Sequence, residues 1–294
     1  MKGIITADWH LRATRPQCRI DEDWMETQRN VLNQIFEIAK VKECDVFVVG
    51  DIFHSNSDTN FECINMVQDF ADRLERECDS LLCIIAGNHD LPYHSSENLN
   101  KSAIGVLFNS QSIIPINKYY QGKYSLSASN FDEEDDENAE IVFKHILTIP
   151  SKDKPDYIDC ETPESLLIKF PNAKWIFTGD YHRNFHYEKK GRHVINPGCL
   201  LRQASDFEDY QPVVYFVDTE KEIVKELPIN DSLENMDTKY ITVRNEREER
   251  ISAFVESLSD SQVMTLDFVE NVEKSLSSVD DEELKETIKE LIYE

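Results

Sequence analysis

Four short polar blocks, Asp8-Trp9-His10, Gly50-Asp51-Ile52-Phe53-His54, Gly87-Asn88-His89-Asp90 and Gly179-Asp180-Tyr181-His182, each follow directly on an apolar run of β type. No other feature narrows the fold so far. Polar side chains placed straight after a buried strand are costly unless they find partners, so the four strand ends are expected to meet. The runs between them set the frame. Gly3–Ala7, a helix over about Met25–Lys40, Asp45–Val49, a helix over about Phe61–Glu77 and Leu81–Ala86 give a βαβαβ order, with Val31, Leu32, Ile35, Ile38 and Ala39 at helical spacing. That order calls for an α/β fold with a mostly parallel sheet and right-handed crossovers. Ligands of such sheets bind beyond the carboxyl ends of the strands, which is where Asp8, Asp51 and Asn88 fall.

The middle of the chain is less regular. Ile113–Ile116, Tyr124–Leu126 and Ile141–Ile149 are expected as strands, with the acidic stretch Asp132–Glu137 as an exposed turn. Thr162-Pro163-Glu164 opens a helix, the hydroxyl at the cap and proline first inside. Ala173–Phe177 delivers the fourth block. Two hairpin-like pairs follow, Asn184–Lys189 with Arg192–Ile195 and Val213–Asp218 with Ile223–Leu227, and both suit a second sheet packed on the first. After Pro228-Ile229-Asn230-Asp231-Ser232 the character changes. Strands over 239–244 and 263–269 and helices over 247–257 and 281–293 mark a small appended α/β unit, giving domains 1–230 and 231–294.

The formal net charge is −26. A protein that holds a polyanion unaided presents Lys and Arg to it, so nucleic-acid binding through an overall basic face is excluded. Residues 218–294 carry 22 acidic against 9 basic side chains, which makes the C-terminal part either a solvated surface or a face for a basic partner. No run of eighteen apolar residues is present, so no membrane contact is expected. Seven cysteines without a CxxC spacing, and no secretion signal, point to reduced cytoplasmic thiols.

Phosphoester hydrolysis needs a nucleophilic water, neutralisation of the phosphoryl oxygens and a proton for the leaving group, and two divalent ions supply the first two. An Asp-x-His pair can place both side chains on one side, as Asp8 and His10 are spaced. Asp51 can bridge two ions through its two oxygens, and Asn88 adds a neutral amide oxygen. Arg12, Arg15 and Arg19, just beyond the first block, are candidates for substrate phosphate contacts; Lys189, Lys190 and Arg192 form a basic hairpin tip near the fourth block. His94, His186 and His193 have no motif around them and are expected on the surface or in the framework.

The ordered set resembles the calcineurin-like metallophosphoesterases. The wording Gly50-Asp51-Ile52-Phe53-His54-Ser55 is similar to the SbcD branch, the nuclease subunits of phage and bacterial repair and recombination complexes, over residues 1 to about 230. The resemblance implies a four-layer α-β-β-α sandwich with a small C-terminal α/β capping unit. It implies two divalent metal ions, manganese first and magnesium second. One would be held by Asp8, His10, Asp51 and His182; the other by Asp51, Asn88, His145 (the family's lone histidine) and Asp180. The family has histidine where this chain has Asp180, a shorter and negatively charged ligand that favours hard cations over zinc. His89 would orient the phosphate or protonate the leaving oxygen, held by a carboxylate such as Asp90, and His54 would influence how DNA is positioned.

The activity so implied is a 3′–5′ exonuclease and endonuclease acting on DNA with an SbcC-like ATPase subunit, in the cytoplasm of a bacterium or a phage-infected host. The stripe Leu284, Ile288, Leu291 and Ile292 is a candidate docking element for that partner, and Phe61–Phe70 a candidate homodimer face. Two other readings stand beside this one. A small-molecule or RNA phosphodiesterase would suit the missing basic face, and a catalytically weakened relative, acting as a DNA mimic or protein-binding module, would suit Asp180.

Overall fold

The computed structural model describes residues 1–56, 60–119 and 124–237, together with 276, 285 and 286. Strand β1 (Lys2–Thr6), helix α1 (Trp24–Lys42), β2 (Asp45–Val49), helix α2 (Phe61–Cys78) and β3 (Leu82–Ile85) realise the βαβαβ order, and a short helix α3 (Ala103–Leu107) leads to β4 (Ile113–Pro115). All three pairings from β1 to β4 are parallel. The helices start and stop where local chemistry dictates. Asp23 and Asn60 cap the first N–H groups of α1 and α2, while Glu43 and Asp79 turn left-handed at their ends.

The second sheet is built from β5 (Leu126–Ser129), β6 (Ile141–His145), β7 (Trp175–Gly179), β8 (Phe185–Lys189) and β9 (Arg192–Asn196), in the order β5-β6-β7-β9-β8. Helix α4 (Pro163–Lys169), between β6 and β7, has the expected start: Thr162 and Ser165 form a reciprocal capping box. The run expected to be one strand to Ile149 ends at His145, and the strand expected over Tyr124–Leu126 begins at Leu126.

One hairpin goes elsewhere than expected. β10 (Val213–Asp218) and β11 (Ile223–Pro228) join the first sheet, β10 lying antiparallel to β1, so that the order is β11-β10-β1-β2-β3-β4. Every residue of β10 is buried. Val214 and Phe216 face the α1/α2 side, while Val213, Tyr215 and Val217 face the other sheet. Alternation identifies a strand without naming its sheet.

Side-chain alternation produces the layers. Ile4, Val46, Val48, Leu82 and Ile84 pack against Leu32, Ile35, Phe36, Val67, Phe70 and Leu74 of α1 and α2. Ile5, Phe47, Val49, Cys83 and Ile85 turn the opposite way and meet Ile141, Phe143, Trp175, Phe177 and Ile195 between the sheets. On the far side Val142, Ile176 and Val194 receive Leu166, Leu167 and Phe170 of the α4 region. The result is the four-layer α-β-β-α sandwich.

The acidic stretch is less exposed than its composition suggests. The Asp135 carboxylate lies between Lys144 and Lys169 at 2.8 and 3.0 Å, with its side chain 4% exposed. Glu133 accepts from the backbone and side-chain amides of Asn130.

The chain divides into two compact units, Met1–Met236 and Asp237–Glu294. Residues 231–236 therefore belong with the first unit, past the boundary expected after residue 230, and Asp231 is fully buried there. The elements expected over 239–244, 247–257 and 263–269, and the stripe of Leu284, Ile288, Leu291 and Ile292, lie outside the described residues. Within the expected last helix Lys285 and Glu286 are helical.

Candidate metal centre

The parallel strands carry their following loops to one end of the sandwich. Asp8 and His10 follow β1, Asp51 follows β2, Asn88 and His89 follow β3, His145 ends β6, and Asp180 and His182 follow β7. Between Asp8 and His10, Trp9 is drawn into the core against Phe70 at 5.7 Å, its indole N–H donating to Thr6. The two ligands thereby emerge together. Asp8, His10, Asp51 and Asp180 all have left-handed backbones, φ between 46 and 75°, a conformation that non-glycine residues hold only when their surroundings impose it.

Three groups of potential metal donors form, each with its donor atoms within 4.8 Å of one another: Asp8, His10 and His182; Asp8, Asp51 and His145; His10, Asp51 and His89. The Nε2 atoms of His10 and His182 are 3.0 Å apart. His145 Nε2 lies 3.1 Å from Asn88 Oδ1 and 3.4 Å from Asp51 Oδ2. Its Nδ1 is 2.8 Å from the Val49 carbonyl, so Nδ1 carries a proton and Nε2 is turned to the cluster. Asp180 comes to the margin. Its backbone N–H donates to both oxygens of Asp8, and its carboxylate stands 3.9 Å from His145 Nε2, outside the three groups.

Tight approach explains the glycines of the blocks. A Cβ on Gly50 (φ +84°) would lie 2.1 Å from His145 Nδ1, and one on Gly87 would lie 2.1 Å from Asp51 Oδ1. Neither clash can be relieved without moving a ligand.

The donor set fits a pair of divalent ions. Asp51 Oδ1 accepts the His89 N–H at 2.9 Å, but the buried Oδ2 has no hydrogen bond and faces the imidazoles of His10 and His145 at 3.7 and 3.4 Å. A buried carboxylate oxygen left so is one that a cation completes. The charges agree. Burial pushes His145 down, yet the carboxylates of Asp51, Asp8 and Asp180 prevail and raise it to about 10. Burial, together with the charges of Asp51 and Asp180, pushes Asp8 well up. The cluster calls for positive charge, and buried carboxylate and imidazole donors are what hard and borderline divalent ions take.

His89 and His54 line one edge of the cluster. The His89 ring is 5.0 Å from that of His10, and its Nδ1 is 2.6 Å from the His54 carbonyl. That carbonyl, and not Asp90, holds His89. Asp90 is buried and accepts from the backbone N–H groups of Ile52, Phe53 and Gly87, locking the second block to the third. Burial raises its carboxyl to about 7, with the Asp51 charge adding. Arg12 Nη1 lies 2.9 Å from His54 Nε2, and burial plus that guanidinium lower His54 to about 4.

Arg12 is half-buried, and Gln28 of α1 holds its backbone through both N–H and C=O, each at 3.0 Å. Arg15, exposed, donates to the Asp21 carbonyl. Arg19 is not a substrate contact. It is 1% exposed, pairs with Asp21 through two nitrogens at 2.8 and 2.9 Å, and reaches Asp231. Arg202 pairs with the same Asp231.

The basic hairpin tip is also displaced from expectation. β9 runs parallel to β7, so the turn at Lys190-Gly191 that precedes it sits at the opposite end of the sheet from Asp180. Arg192 there is spent on the Ala173 and Phe170 carbonyls. His186 and His193 pair at 3.0 Å, and His193 stacks on Trp175. His94, however, is joined to the third block, its Nδ1 2.8 Å from the Asn88 carbonyl.

Two supports stand outside the expected site residues. Asn196, buried at the end of β9, donates to the Tyr181 and Arg183 carbonyls and so shapes the loop of His182. Gln203 donates to the His10 carbonyl at 3.0 Å. Asn196 opens an Asn196-Pro197-Gly198 segment that is visible in the sequence, but nothing marks Gln203, whose partner is 193 residues away.

Among solved structures the chain is similar to an archaeal phosphodiesterase (16% identity, TM-score 0.40, covering 78% of this chain and 99% of that one). It is also similar to the protein TT1561 of Thermus thermophilus (10%, 0.48, 77% and 98%) and to a Vps29 variant from Entamoeba histolytica (11%, 0.36, 78% and 100%). The family model described as calcineurin-like phosphoesterase matches residues 1–190. That span takes in every strand end at which a donor of the cluster stands, from Asp8 to His182, and the chain belongs to the calcineurin-like phosphoesterases.

Proposed function

We propose that this member of a metal-dependent phosphoesterase family is a DNA nuclease, cleaving phosphodiesters as 3′–5′ exonuclease and endonuclease with manganese and acting beside an SbcC-like ATPase. The observation that carries the reading is the edge of the centre where Arg12, His54 and His89 stand in succession. The ligands Asp8, His10, Asp51 and His182 would hold one ion; Asp51, Asn88, His145 and Asp180 the other. Bound there, the two ions supply a nucleophilic water at neutral pH and neutralise the phosphoryl oxygens.

The chain's own residues supply the rest. Since His89 Nδ1 donates to the His54 carbonyl, Nε2 is the nitrogen turned toward the reacting phosphate and the one that hands a proton to the leaving oxygen. His54, held low by burial and by Arg12, stays neutral at working pH and acts as a positioning group. The Arg12 guanidinium, 2.9 Å from His54 Nε2, would take a phosphate oxygen. The acidity of the whole chain fits a subunit whose DNA-binding surface comes largely from its partner.

The test is cleavage of linear duplex DNA and of bis-p-nitrophenyl phosphate with added manganese, by wild type and by His89→Ala. DNA cleavage that falls about 10²–10⁴-fold in the variant is expected for a lost general acid. Hydrolysis of the small diester with no cleavage of any DNA would replace this reading by that of a small-molecule phosphodiesterase, which the net charge of −26 favours.

A further inference from the structure

The third block ends in a loop with an unusual backbone. Tyr93 and His94 are both left-handed, at φ +58° and +52°. Bulky side chains avoid that region and hold it only where the surroundings dictate. Here the dictating contacts are present. The Asn88 carbonyl takes the Leu91 N–H at 3.4 Å and lies 2.8 Å from His94 Nδ1. Asn56, from the loop of the second block, donates to the Leu91 carbonyl at 3.0 Å, and Leu91 itself is fully buried. The tip is thus tied to both ligand-bearing loops.

What these ties hold out is an aromatic ring in water. Tyr93 is 90% exposed, the most exposed large apolar side chain among the described residues. Packing would account for a strained aromatic residue that is buried, and this one is not. Four residues from His89 in a tight turn, its Cα stands at most about 15 Å from that of the proposed proton donor.

We infer that Tyr93 is a stacking platform for an unpaired nucleobase next to the phosphodiester being cleaved, which makes single-stranded or frayed DNA the favoured substrate; this deepens, and rests on, the nuclease reading above. Every base has a π face, so an exposed ring on a backbone held in this way selects unstacked bases of any sequence, where a hydrogen-bonding group would select one. A neutral ring also suits this chain's charge, because stacking takes hold of a polyanion without requiring a basic surface.

The experiment compares kcat/KM, with manganese, on a single-stranded oligonucleotide and on an abasic strand of equal length. The full chain, Tyr93→Ala and Tyr93→Phe are each assayed. Wild type should favour the base-bearing strand roughly tenfold, the value of one stacked base. Tyr93→Ala should lose most of that preference, and Tyr93→Phe, which keeps the ring, should retain it. A preference that survives in Tyr93→Ala, or an equal loss on both strands, would overturn the inference and leave the nuclease reading standing; Tyr93 would then be a protein contact or a structural residue. If wild type cleaves neither strand but hydrolyses bis-p-nitrophenyl phosphate, the nuclease reading falls and takes this one with it.

Discussion

Asp51 has one oxygen on the His89 amide and another, buried, with no hydrogen bond. A cation that binds the folded chain and not the unfolded one stabilises it by mass action, by about 2.7 kcal/mol at a hundredfold excess over Kd. Manganese should therefore raise Tm, and Asp51→Asn should abolish both that rise and the bound metal measured by elemental analysis. A variant that still gains stability from manganese would place the ion elsewhere. Asp180 allows a second test at the same scale. Asp180→His restores the imidazole of the family pattern and should move the metal preference for diester hydrolysis from manganese toward zinc; an unchanged ranking would show that residue 180 does not set it. The convergence of the four blocks was legible because polar residues straight after buried strands have few bland explanations. Arg19 was not. A cation just past the first block resembles a phosphate contact in sequence, and its partner Asp231 lies 212 residues away.

Buried ion pairs decide how the elements are joined. Removing one partner of such a pair leaves an uncompensated charge and costs about 3–5 kcal/mol, so Arg19→Ala should lower the free energy of unfolding, measured by denaturant titration, by an amount of that order. An effect below about 1 kcal/mol would mean that the pair is solvated. The second pair is Asp135 with Lys144 and Lys169. Burial opposes ionisation of Asp135, but the hydrogen bonds from both lysines prevail and hold its carboxyl below the usual value of 3.8. A carboxyl with a lowered folded-state pKa adds stability above its unfolded pKa and loses it as pH falls through the folded value. The contribution should be complete above about pH 5 and fade below about pH 4. Asp135→Asn should flatten that limb of the stability curve measured by urea unfolding; an identical acid limb would exclude the pairing. The βαβαβ half and the Thr162 cap of α4 could be read from period and cap chemistry. The sheet that β10 joins could not, since alternation is the same in either sheet.

Net charge acts on the whole molecule. A chain of charge −26 repels a polyanion, and added salt screens that repulsion. The isolated chain should therefore show a KM for DNA that falls as monovalent salt rises from roughly 20 to 150 mM, the reverse of a basic nuclease. For singly charged bis-p-nitrophenyl phosphate the change should be much smaller. A KM for DNA that climbs with salt would reveal a local basic surface strong enough to outweigh the total. A different consequence follows from β10 lying beside β1. Once synthesised, β1 gains its second neighbour only after some two hundred further residues, which at about 5–20 residues per second is a wait of 10–40 s. Through that interval the unpaired edge of Ile4 and Ile5 is open to pairing with other chains. Nascent chains halted near residue 190 should be holdase clients, and released quickly once residue 218 has emerged.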